Sequence, residues 1–125
     1  MKSFIDLLSE ANSEIKTISV DELKLISDDP QTQIIDVQSK DVIDNSGMIP
    51  NAIHANRGFL EFYADQRADN PFRKSEINNE KKIIVYCGVG GQGALATKTL
   101  QDMGFKDVSN LEGGSEAWVK AGYPL

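Results

Sequence analysis

The spacing of apolar positions changes several times along the chain, and each change marks an element boundary. In Ser3–Ala11 the residues Phe4, Leu7, Leu8 and Ala11 recur at helical spacing, which predicts a short amphipathic helix. Ile15–Ile18 predicts a short strand. Ser19 and Glu22 then stand at the capping-box spacing, in which each side chain satisfies a free backbone N–H of the other. They start a helix that runs through about Ile26 and is closed by Asp28-Asp29-Pro30. Gln33–Val37 is a compact apolar strand. Ser39–Asn45 predicts a short helix stopped by Ser46-Gly47, and Ala52–Ala55 another short strand. Gly58–Ala68 holds Phe59, Leu60, Phe62, Tyr63 and Ala64 and predicts a helix, whereas polar Asp69–Lys82, with Pro71, predicts a loop.

Lys82–Cys87 (KIIVYC) is the strongest strand signal. Its apolar run does not alternate, as expected of a central parallel strand covered on both faces. Gly93–Met103 predicts a helix with Ala96, Leu100 and Met103 on one stripe, ended by Gly104. Val108–Leu111 is a last strand. Gly113-Gly114 turns the chain into a final helix around Glu116–Lys120, which Gly122 and Pro124 end. Strands that alternate with helices argue for an α/β fold, a parallel sheet with helices on both faces. In such sheets ligands bind beyond the C-terminal ends of the strands. Cys87 sits at one such end, and Asp36 and Glu112 lie close to two others.

Composition narrows the chemistry. The 125 residues contain no internal repeat and no linker, so one domain is expected over 1–125, with residues 1–14 as an N-terminal helical extension. A formal net charge of −6, with no basic stripe, argues against nucleic acid. No apolar run approaches the ~20 residues that span a bilayer. The N-terminal stretch carries Asp6 and Glu10 and lacks a long apolar region, so no signal peptide is expected. A single cysteine forms no intrachain disulfide, and a cytoplasmic location is expected. With one cysteine and one histidine, a structural zinc site lacks ligands; no metal or cofactor is expected.

The lone Cys87 opens the stretch "CGVGGQGA" (Cys87–Ala94). A free cysteine titrates near ~8.5 and is mostly an unreactive thiol at neutral pH. Glycines at 88, 90, 91 and 93 allow successive N–H groups to point inward as an anion-binding nest, and the following helix aims its positive end at the same place. The helix end supplies only about 0.3–1 kcal/mol. Hydrogen bonds to a charged acceptor supply about 1.5–3 kcal/mol each, so two or three loop amides would make thiolate the resting form. On this pattern alone, a packed structural cysteine and a nucleophile both remain open. A nucleotide-phosphate loop is disfavoured, because no Gly-Lys-Ser/Thr follows the glycines.

Three blocks decide between them. "IIDVQSKDVIDNSGMIPNAIHANRG", "KKIIVYCGVGGQGALATKTLQDMGF" and "VSNLEGGSEAWVKAGYPL" resemble the signatures of a single-domain rhodanese over about Ile15 to Leu125. The resemblance implies an α/β domain around a five-stranded parallel sheet, with an active loop at Cys87–Gln92 that comprises Gly88, Val89, Gly90, Gly91 and Gln92. It also implies a sulfurtransferase. Cys87 would take the outer sulfur of a small anionic donor such as thiosulfate, or of a persulfide. It would then pass that sulfur, as a persulfide, to cyanide, a thiol or a protein acceptor. One cysteine suffices, since the acceptor completes the cycle. The competing reading is a persulfide carrier or interaction module without turnover.

Two positions depart from the family, which often has arginine after "DV" and at the end of the loop. Here they are Gln38 and Gln92, and weak affinity for thiosulfate is expected. Related phosphatases use a Cys-x5-Arg loop, but position 93 is Gly93, so phosphate transfer lacks its guanidinium. Among Arg57, Arg67 and Arg73, Arg57 is the candidate to reach over the loop as an anion helper. Asp36 and Glu112 are expected to support the loop backbone rather than perform chemistry. His54 is read as structural and Trp118 as core.

Overall fold

The computed structural model describes residues 1–125. Five strands, β1 (Lys16–Ile18), β2 (Thr32–Asp36), β3 (Ala52–His54), β4 (Lys82–Tyr86) and β5 (Val108–Leu111), pair entirely in parallel in the order β1-β5-β4-β2-β3. Six helices join them: α1 (Phe4–Glu14), α2 (Val20–Ile26), α3 (Lys40–Ser46), α4 (Leu60–Ala64), α5 (Gly91–Asp102) and α6 (Gly114–Lys120).

The unbroken apolar run of β4 has the predicted meaning. Ile83 and Val85 face one core with Ile35, Leu60 and Ala64 of α4, and Ala96 and Leu100 of α5. Ile84 and Tyr86 face the other, with Leu23 of α2, Ile49, Leu111 and Trp118 of α6. Trp118 is in the core, its Nε1–H donating to the Pro124 carbonyl at 3.0 Å. Both faces of β4 are thus sealed, and its C-terminal end opens toward Cys87. α1 lies outside this layer, packed on α5, and is tied to it by a Lys98–Glu14 ion pair at 3.0 Å.

The Ser19/Glu22 capping box forms as predicted, and a second, Ser3/Asp6, starts α1. Elsewhere boundaries differ for local reasons. The helix expected over Gly58–Ala68 is a 3-10 turn at Arg57–Phe59, capped by Asn56, followed by the short α4. It ends at Ala64 because the Gln66 amide takes the Ala64 carbonyl, and the Asp65 carboxylate accepts from the Arg67 N–H. α5 begins at Gly91, two residues before its expected start, so Gly91 and Gln92 also belong to the helix. α6 begins at Gly114, ahead of the expected Glu116.

Tyr86 ties the second core together. Burial, with the neighbouring Asp36 charge adding to it, pushes its phenol well above the usual value, so it stays neutral. Its oxygen accepts the buried Ile49 N–H at 3.0 Å. Tyr86→Phe strands that N–H and is expected to cost about 1–3 kcal/mol in urea unfolding; an unchanged midpoint would contradict this role.

Candidate active site

Cys87 is the first residue after β4 and is only 4% exposed. Its sulfur accepts two backbone hydrogen bonds, from Gly90 N–H at 3.1 Å and Gly93 N–H at 3.2 Å. Gly90, with φ +117°, is the N-cap of α5, and only glycine takes that conformation without strain. Its left-handed turn aims the Gly90 amide back at the sulfur and starts the helix whose first turn supplies Gly93. The amide cradle and the helix terminus are therefore one feature.

The loop is held from behind by α6. Ser115 N–H donates to the Cys87 carbonyl at 2.9 Å, and Glu116 N–H to the Gly88 carbonyl at 3.0 Å. Gly114, at φ +62°, lets the two segments approach; a methyl there would overlap the Cys87 carbonyl and lie 2.6 Å from that of Gly88. The "GG" of the third sequence block is thus a contact between α6 and the active loop.

Asn110 is a residue the sequence reading missed. It sits on β5, is 4% exposed, and donates from Nδ2 to the Gly90 carbonyl at 3.2 Å. Its Oδ1 lies where a side chain on Gly93 would be and has no hydrogen-bond partner. The available signal was weak, since Asn110 is one of two adjacent polar residues, Ser109 and Asn110, between the apolar ends of β5.

A second cluster lies on the other side of the cysteine. The Asp36 carboxylate is fully buried at the end of β2. It accepts the Gln38 backbone N–H at 2.8 Å and the Gln38 Nε2 at 3.2 Å to each oxygen. His54 Nε2 lies 2.7 Å from the Gln38 carbonyl oxygen. Asp36 and His54 thus both fix Gln38, and neither touches the sulfur.

Gln38, Ser39, Val42, Cys87, Gly88, Val89, Gly91 and Gln92 line a cleft of about 350 Å³ over the thiol, and none of them is a cation. A side chain on Gly91 would meet Leu8 of α1. A neighbouring cleft of about 300 Å³ shares Ser39 and Gln92 and includes Lys40 and Arg57. The Arg57 guanidinium is held by Glu61 at 3.0 Å and Thr99 at 2.9 Å, in that neighbouring cleft rather than over Cys87. Glu112 is exposed, away from the cleft; its backbone N–H donates to Ile18.

The sequence and fold that build this site are similar to those of known proteins. Residues 19–121 match the family described as Rhodanese-like domain, and the chain belongs to that family. It is 34% identical over 91 residues to a thiosulfate sulfurtransferase GlpE of Coxiella burnetii, covering 73% of this chain and 74% of that one. It is 28% identical over 100 residues to a sulfurtransferase of Allochromatium vinosum, covering 80% and 83%. A solved structure of a Rhodopseudomonas palustris protein of unknown function, described as a possible tyrosine phosphatase, superposes with a TM-score of 0.91 at 35% identity, covering 100% of this chain and 95% of that one.

Asn110→Ala removes one hydrogen bond to the loop and one stranded acceptor together, so the two effects on stability offset. Global stability is expected to stay within about 1 kcal/mol, while alkylation of Cys87 by iodoacetamide at pH 7 slows several-fold because Gly90 loses its anchor. Alkylation at the wild-type rate would show that Asn110 does not position the loop.

Proposed function

We propose that this chain is a sulfurtransferase that carries a sulfane sulfur on Cys87. The observation that carries the reading is the pair of amide N–H groups on the sulfur. They point two main-chain dipoles at the sulfur that has to attack, with no side-chain base beside it. The ionised Cys87 attacks the outer sulfur of a donor. A new S–S bond forms, the donor's S–S bond breaks, and its electron pair leaves with sulfite from thiosulfate or with a thiolate from a persulfide. The terminal sulfur now on Cys87 then passes to a thiol, cyanide or a protein thiol, which returns Cys87 to its starting form. The names of the relatives support sulfur transfer. A lone free thiol suits a reducing compartment, and we place the protein in the cytoplasm. No helix is long and apolar enough to cross a membrane.

Phosphatase chemistry, raised for the Rhodopseudomonas protein, is disfavoured here. A phosphoryl transition state needs a bidentate cation, and Gln92 and Gly93 supply none. The uncharged cleft favours a second reading, a persulfide carrier with little turnover. Treatment with a sulfur donor followed by intact-mass measurement is expected to add one sulfur atom to the wild type and none to Cys87→Ser. A wild type that gains no sulfur from any donor would overturn the proposal. Thiosulfate:cyanide turnover separates the enzyme from the carrier.

Gln92 lines both clefts, so a cation there would meet an anionic donor. Gln92→Arg is expected to lower the KM for thiosulfate about tenfold, equivalent to roughly 1.4 kcal/mol. An unchanged KM would show that the missing loop cation does not limit thiosulfate binding.

A further inference from the structure

Gln38 is held at three points. Its backbone N–H and its Nε2 both donate to Asp36, and its carbonyl oxygen meets His54 Nε2. The amide orientation follows from chemistry, since only an NH2 can face two carboxylate oxygens. One polar atom is then left uncommitted, the side-chain Oε1. It lies beside Gly88 in the wall of the cleft over Cys87, within 3.3 Å of where a side chain on that glycine would begin. The carboxylate behind the NH2 polarises the amide and makes this oxygen a stronger acceptor.

The cleft therefore presents a hydrogen-bond acceptor to whatever approaches the sulfur, with no cation among its lining residues and with Val42 and Val89 as apolar walls. A sulfonate entering here meets an oxygen backed by a carboxylate. A donor with an N–H a few bonds from its sulfane sulfur meets a partner for that N–H and apolar wall for its methylene.

Resting on the sulfur-transfer reading, we propose that Gln38 sets donor specificity, selecting hydropersulfides of the cysteine type, which carry an amide or ammonium N–H near the sulfur, over thiosulfate. In the step selected, Cys87 S⁻ attacks the terminal sulfur of R–S–SH. The Cys87–S bond forms, the R–S–S bond breaks, the electron pair leaves as R–S⁻, and the proton stays on the transferred sulfur.

The test measures the rate at which Cys87 gains sulfur, by intact mass, from three donors: N-acetylcysteine hydropersulfide, mercaptopropionate hydropersulfide, and thiosulfate. The first two share a carboxylate and differ by the acetamido group that carries the N–H. The wild type is expected to load about tenfold faster from the N-acetylcysteine donor than from the mercaptopropionate donor, the worth of one good hydrogen bond. Gln38→Met is expected to erase that difference. Gln38→Arg keeps a donor to Asp36, which guards against loss of fold, and is expected to shift the preference toward thiosulfate about tenfold. Equal loading of the wild type from both hydropersulfides, or a preference unchanged in both variants, overturns the role of Gln38 and leaves sulfur transfer standing. Failure of every donor to load Cys87 overturns both.

Discussion

Two main-chain N–H groups converge on one sulfur atom, and the rest of the molecule is arranged to keep them there. Gly90 and Gly93 lie 3.1 and 3.2 Å from Cys87 Sγ. Each bond to an ionised sulfur supplies about 1.5–3 kcal/mol, more than a helix end alone. Such bonds count only if the loop cannot relax away from them. Three elements prevent that. β4 is sealed on both faces and fixes the cysteine. α6 donates two amides to the loop carbonyls, and Asn110 on β5 holds Gly90 from below.

The cost of this arrangement is visible. Asn110 keeps a buried acceptor without a partner, and Gly114 holds a left-handed conformation against two carbonyls. The stranded acceptor weakens the fold locally, the glycine tolerates its conformation only because it has no Cβ, and both lie beside the active loop. Unsatisfied groups and unusual backbone at such places are what a preorganised site requires.

Much of this was legible from spacing. The five strands, the Ser19/Glu22 cap and the position of Cys87 at a strand end follow from apolar period and from the rules of parallel sheets. The weaker predictions were those that depend on contacts distant in sequence. Ala64 ends its helix through the side chain of Gln66, which no periodicity reports. Asn110 reads as an ordinary strand residue until β5 is laid beside β4. The Gly113-Gly114 pair reads as a turn, yet its tighter requirement is the approach of α6 to the cysteine loop. Arg57 shows the reverse. Its place just past β3 brought it near the site, but Glu61 and Thr99, set by the folded chain, hold its charge in the neighbouring cleft. Gln38 reads as a missing cation, and only the Asp36 carboxylate reveals which of its atoms faces the cleft.

The most direct test of the central claim is an amide NMR titration of uniformly ¹⁵N-labelled protein with a sulfur donor, followed in parallel by mass. As Cys87 gains its sulfur, the Gly90 and Gly93 amide resonances are expected to move most, because their acceptor changes, while strand amides such as Ile84 stay in place. A protein that takes up sulfur with both glycine signals unmoved, or takes up none, would contradict the account.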